Sequence, residues 1–152
     1  MSVMEAIAYV DGASLANPGD AALAVQIYDT HGQILKSICE PIGRQTNNFA
    51  EYYAMLRCLQ EAQAMGIQRL TIYTDSELLC KQWTREYQVR SENLRPLYNE
   101  AIEYAQMFAQ VSVIQIRRAS DPRAQMVDRM AQEAAQHVQR FKPQQGGLTD
   151  DL

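Results

Sequence analysis

The chain has 152 residues, 47% of them apolar and 21% charged, with a formal net charge of −4 at pH 7. That length suits one domain able to bury a core without staples, and the composition is ordinary for a soluble globular protein. The acidic balance argues against holding nucleic acid by bulk charge alone, but leaves room for a local basic groove or for bound cations.

No apolar run approaches the ~18 residues of a membrane span. The opening MSVMEAIAYV has neither the basic start nor the long apolar run of a secretory leader. The cysteines, Cys39, Cys58 and Cys80, are odd in number, lack CxxC spacing and each lie in an apolar run. Buried free thiols in a reducing cytoplasm are therefore expected.

In chain order, AIAYV (6–10) predicts a short strand that ends at Asp11-Gly12, and the NPG at 17–19 a turn. ALAVQIYD and QILKSICEPI flank Thr30-His31-Gly32 and predict a hairpin. Thr46 or Asn47 can cap a helix running to about Met65, with Gly66 as its stop. LTIYTD (70–75) predicts a strand, and Ser76 opens a short helix through Trp83. Helical spacing recurs over 93–108, VSVIQI (111–116) alternates as a strand, and a last helix runs to about Arg140 after RRASDPRA. The tail KPQQGGLTDDL is polar and glycine-containing, so one domain over 1–142 with a disordered tail at 143–152 is expected. The order β-β-β-α-β-α-α-β-α implies an α/β fold. Its mixed five-stranded sheet has three antiparallel strands, then two helix-connected ones, with helices on both faces.

Four acids in four different elements draw notice. Glu51 shares a helix face with Ala54, Met55, Cys58, Leu59 and Ala62, the apolar stripe that should meet the sheet. An ionised carboxylate there costs several kcal/mol, roughly, unless something positive or hydrogen-bonding meets it. Bending out to solvent at a helix start is the alternative. Asp11 and Asp75 each close a central strand, where open α/β sheets place ligands, though strand-ending turns use the same residues. Asp128 flanks the stripe Ala124, Val127, Ala131, Ala134 and Val138, and also fits a solvated flank. Carboxylates that converge must be neutralised by cations, and oxygen-only donors select hard ions such as Mg²⁺ or Mn²⁺.

VDGASLANPG, TNNFAEY, YTDS and VDRMAQEA together resemble type 1 ribonuclease H, over about residues 7–135. REYQVRSENLRPLY resembles the form that lacks the inserted basic helix. The resemblance implies an endonuclease that cuts the RNA strand of RNA/DNA hybrids with two Mg²⁺ ions, which Mn²⁺ can replace, and that works as a monomer. It implies that Asp11, Glu51, Asp75 and Asp128 are the catalytic, metal-holding acids, with Asp11 shared between the ions. It also implies that Asn17, Asn47 and Asn48, with the backbone around Ser14 and Ala16, meet RNA 2′-hydroxyls. An amide suits that task because it both donates and accepts. The expected products carry a 5′-phosphate and a 3′-hydroxyl.

The chain departs from the pattern before the last acid. In RRASDPRAQMVD, Ala124 stands where relatives carry Asn; Asp121, ahead of Pro122, is the other acid available and has the context of a turn residue. His31 and His137 read as surface residues, and Trp83 as packing or base stacking. Nine of the fourteen Lys and Arg residues follow Trp83, with Arg117, Arg118, Arg123 and Arg129 near Asp128. So few basic contacts predict weak hybrid affinity that falls steeply with salt. A hybrid-binding module with little catalysis is the competing expectation. A 3′–5′ exonuclease is disfavoured, because Asp11-Gly12-Ala13 is not Asp-x-Glu.

Overall fold

The computed structural model describes residues 4–140; the expected tail at 143–152 lies outside the described residues. Three strands come first: β1 (Glu5–Ser14), β2 (Gly19–Tyr28) and β3 (Ile34–Gln45). Helix α1 (Asn47–Ala64) leads to β4 (Arg69–Thr74) and the short α2 (Glu77–Trp83). Then come α3 (Arg95–Ala105), β5 (Gln110–Gln115), a 3₁₀ turn at Arg118–Ser120 and α4 (Pro122–Arg140).

The strands form one sheet in the order β3-β2-β1-β4-β5. β1–β2 and β2–β3 pair antiparallel, whereas β1–β4 and β4–β5 pair parallel. This is the mixed five-stranded sheet that the element order implies. α1 lies on one face, over Ala8, Val10, Leu23, Val25 and Ile72. α4 lies on the other, with Ala124, Val127 and Ala131 against Tyr9, Ala13, Ala24 and Tyr28. Strands covered on both faces read as nearly continuous apolar runs, as β1 and β2 do.

The helix ends follow the sequence signals. Thr46 Oγ1 accepts the Phe49 N–H (3.1 Å) and caps α1, while Gly66 beyond its end takes φ +80°, a left-handed conformation that glycine adopts without a Cβ penalty. Ser76 Oγ accepts the Leu79 N–H (3.1 Å) and caps α2.

Three expectations need correction. β1 does not stop at Asp11-Gly12 but continues to Ser14, so Gly12 is a strand residue rather than a turn. Its lack of a side chain serves close approach: a Cβ there would lie 2.3 Å from the Ala50 carbonyl carbon and 2.4 Å from the Glu51 nitrogen. α3 is shorter than 93–108, because Met107 and Phe108 donate to carbonyls three residues back and tighten its end. Cys39 is exposed, since it lies on the edge strand β3 pointing away from the buried Ile38, whereas Cys58 and Cys80 are buried. The Arg123 guanidinium stacks over the Tyr28 ring at 4.1 Å. Trp83 is half-buried and packs edge-on against Tyr98. Among the described residues no helix is long and apolar enough to cross a membrane.

Candidate functional site

The parallel register between β1 and β4 pairs Tyr9 with Tyr73. Two residues further along each strand stand Asp11 and Asp75, so the register alone sets them side by side at the strands' carboxyl ends. Asp11 still lies within β1, paired with Ala24 of β2, and is held rigidly. Asp75 sits between Thr74, the end of β4, and Ser76, the cap of α2. Glu51 arrives from α1, whose first turn rests directly on the bare backbone of Gly12. The stripe read from the sequence is buried as expected, and Glu51 at its head is only 9% exposed.

One carboxylate oxygen from each of Asp11, Glu51 and Asp75 lies within 4.8 Å of the others. Asp11 is 4% exposed; its Oδ1 accepts the Gly12 N–H (2.9 Å), and its buried Oδ2 has no hydrogen-bond partner. Burial, then the neighbouring Asp75, Glu51 and Asp128 carboxyls, push Asp11 up to about 9. Burial also pushes Glu51 up to about 7, with Asp75 adding to it, against the Ser76 hydroxyl, Arg118 and the Asn47 amide, which favour the charged form. Neighbouring carboxyls thus hinder one another's ionisation, and a hard cation would relieve it. Three convergent carboxylates, one of which also has a buried oxygen without a hydrogen-bond partner, fit such an ion.

Asp128 reaches this cluster from α4 and meets the Asp11 carboxyl, though it lies outside the group of three whose oxygens are all mutually close. Its Oδ1 accepts from Arg118 Nη1 at 2.7 Å, and the same nitrogen is 3.6 Å from Asp75 Oδ2. Arg118 thus clamps the fourth acid to the third, and it is half exposed. Burial opposes its charge, yet Asp128 and Asp75 raise its pKa. Nothing in the sequence singles out Arg118 from Arg117, Arg123 and Arg129, because its loop carries no periodicity. Asp121 is no rival for the fourth acid: its Oδ1 accepts the Arg123 and Ala124 N–H groups and caps α4.

The polar residues lie at the same end of the sheet. Ala16, Asn17, Asn47 and Asn48 are exposed, where the β1–β2 connection meets the start of α1. Asn17 Oδ1 accepts the Asn47 N–H (3.0 Å) and ties the two segments together. Ser14 Oγ lies against the carbonyls of Ala16 and of Gln45, the latter at 2.8 Å, with one proton to give to either, so this hydroxyl shapes the loop. Capping falls to Thr46, which leaves the Asn47 side chain to Glu51 and the surface.

A family model described as reverse transcriptase-like matches residues 9–140. Ribonuclease HI of Halobacterium salinarum is 36% identical over 127 residues, which make up 84% of this chain and 62% of that protein. Bifunctional protein Rv2228c of Mycobacterium tuberculosis is 30% identical over 132 residues, 86% of this chain and 35% of that protein. The chain therefore spans less than two thirds of either relative. The crystal structure of RNase H1 from Halobacterium salinarum superposes with a TM-score of 0.82 at 33% identity, covering 88% of this chain and 98% of that one. The N-terminal RNase H domain of Rv2228c gives 0.85 at 28% identity, covering 90% and 97%. LC11-RNase H1, solved in complex with an RNA/DNA hybrid, gives 0.80 at 28% identity, covering 88% and 99%.

Proposed function

Because the chain belongs to the reverse transcriptase-like family and has the ribonuclease H fold, we propose that it is a metal-dependent endonuclease that hydrolyses the RNA strand of RNA/DNA hybrids. The observation that carries this reading is the oxygen cluster of the buried Asp11 and Glu51 with the partly exposed Asp75, in which Asp11 Oδ2 has no hydrogen-bond partner. The hybrid seen with LC11-RNase H1 supports the choice of substrate.

In this reading Asp11, Glu51, Asp75 and Asp128 hold two Mg²⁺ ions, and Mn²⁺ can replace them. When bound, the ions supply positive charge for the attacking water and the departing oxygen of the scissile phosphate. The chain's own contribution is placement. Asp11, central and rigid within β1, is shared. Glu51 and Asp75 serve one side, and Asp128 the other. Arg118, half exposed on the Asp128 side, can turn from the carboxylates to a phosphate oxygen once cations replace it. The exposed amides of Asn17, Asn47 and Asn48 are the groups offered to 2′-hydroxyls, and Ser14 holds the Ala16 backbone in the loop beside them. Direct in-line hydrolysis then leaves a 5′-phosphate and a 3′-hydroxyl. In this reading the working unit is a monomer. The two buried free thiols support a reducing compartment such as the cytoplasm.

The test is a hybrid with labelled RNA, incubated with and without Mg²⁺. Cleavage within the RNA strand only when Mg²⁺ is present is expected, with single-stranded RNA left intact. Tight binding of the hybrid without cleavage in Mg²⁺ or Mn²⁺ would instead establish a binding module.

A further inference from the structure

The packing of α4 on the sheet poses a mechanical problem. Its contact stripe is Ala124, Val127 and Ala131, set against Ala13 and Ala24 as well as Tyr9 and Tyr28. The small helix side chains offer few interlocking ridges, so directional contacts carry much of the register along the axis. α4 carries Asp128, whose use depends on its distance from Asp11 in β1.

Directional contacts hold α4 in register: Arg118 joins Asp128 to Asp75, Cys39 Sγ donates to the Met130 carbonyl at 3.2 Å, and two more lie at the start of the helix. One is Arg123 over the Tyr28 ring at 4.1 Å. The other is more specific. Tyr9 Oη donates to Asp121 Oδ2 at 3.1 Å, while Asp121 Oδ1 accepts the Arg123 and Ala124 N–H groups at 2.9 and 3.2 Å. A carboxylate has two acceptor oxygens. Here one closes the helix end and the other reaches the sheet. The Tyr9 ring is itself fixed, 7% exposed, stacked on Tyr73 at 5.0 Å and edge-on to Tyr28 at 6.1 Å. Asp11 lies two residues beyond Tyr9 on the same strand face, and Asp128 lies seven residues, about two helical turns, beyond Asp121.

We propose that Tyr9 is a positioning residue: through its hydroxyl bond to the α4 cap, it sets where α4 starts along β1, and hence how far Asp128 lies from Asp11. The proposal rests on the metal-site reading above. The ring alone would supply packing; the hydroxyl supplies register. Removing it leaves the three-acid cluster intact and loosens the fourth acid, which then relies on Arg118 for its place.

The test is Mn²⁺ titration calorimetry on the full chain, with Tm measured in parallel, for the unaltered protein, Tyr9→Phe, Asp128→Asn and the double variant. Phenylalanine keeps the stacked ring, so Tm should move by no more than about 5 °C. Mn²⁺ affinity should fall about fivefold in Tyr9→Phe, below the range typical for groups bonded directly to a ligand. In the Asp128→Asn background the same change should cost nothing further, because the group being positioned is gone. Unchanged affinity in Tyr9→Phe would overturn the proposal, as would an equal fivefold loss on top of Asp128→Asn. Absence of Mn²⁺ uptake by the unaltered protein would overturn the metal reading itself, and the proposal with it.

Discussion

The acids of the site are held in two different ways. Asp11, Glu51 and Asp75 are fixed by strand register and by a helix seated on a glycine, and their oxygens crowd within 4.8 Å. Asp128 rides on a helix whose underside carries small side chains, and it meets an arginine as well as the Asp11 carboxyl. The first arrangement is built into the core and stores electrostatic repulsion. The second is set at the rim, and its charge is already balanced. A cation therefore has most to relieve among the three acids, while the fourth adjusts to it.

The largest expected effects separate the two groups by activity. Asp75→Asn or Asp11→Asn should lower hybrid cleavage by about 10³-fold or more, with the fold retained, because each removes charge from the crowded cluster. Asp128→Asn should cost less, about 10- to 100-fold, and part of that should return at higher metal concentration. Steady-state cleavage across a Mg²⁺ series checks both, and an equal loss for all three variants would erase the distinction.

The seating of α1 can be broken separately. In Gly12→Ala the new Cβ would sit 2.3 Å from the Ala50 backbone. Urea unfolding should show destabilisation of about 3 kcal/mol as the helix is pushed off β1. An unchanged midpoint would mean that Glu51 is not held by this contact.

The stored repulsion has a pH signature. Asp11 rises from 3.8 to about 9 and Glu51 from 4.5 to about 7 on folding, so the folded chain holds protons that the unfolded chain has released. Stability from these groups is thus full below about pH 4 and is lost as pH rises, through about 7 for Glu51 and about 9 for Asp11. The Tm of metal-free protein should fall between pH 5 and pH 9 by more than that of Asp11→Asn. Millimolar Mg²⁺ should flatten the fall, since a cation stabilises the ionised acids. A parallel fall in the Asn variant would assign the effect elsewhere.

The smallest effect concerns the rim. Arg118 is an internal counterion for Asp128 and Asp75. Arg118→Ala should strengthen Mn²⁺ binding about threefold, because the metal no longer competes with a guanidinium at a half-exposed site. Calorimetry gives the sign directly.

The same division governs what could be read from the sequence. The four acids stood out because each sits at a marked place: Glu51 in an apolar stripe, Asp11 and Asp75 after apolar runs, Asp128 beside a helical stripe. Their proximity did not stand out, since it follows from strand order and from the Tyr9–Tyr73 register, which are long-range. The sequence pattern suggested a turn at Gly12, because glycine after aspartate is common there; its actual role depends on α1, some forty residues further on. Cys39 looked buried because an apolar run does not say whether its strand will be central or an edge. Arg118 and the Tyr9–Asp121 bond lie in or against a loop without periodicity, and only the folded chain brings their partners together.

The most direct test of the central claim is anomalous scattering from a crystal soaked in Mn²⁺. The account requires a peak within coordination distance of Asp11 Oδ2, Glu51 and Asp75, with Arg118 displaced from Asp128 if a second peak forms there. Well-ordered carboxylates at residues 11, 51 and 75 with no anomalous density among them at saturating Mn²⁺ would contradict it.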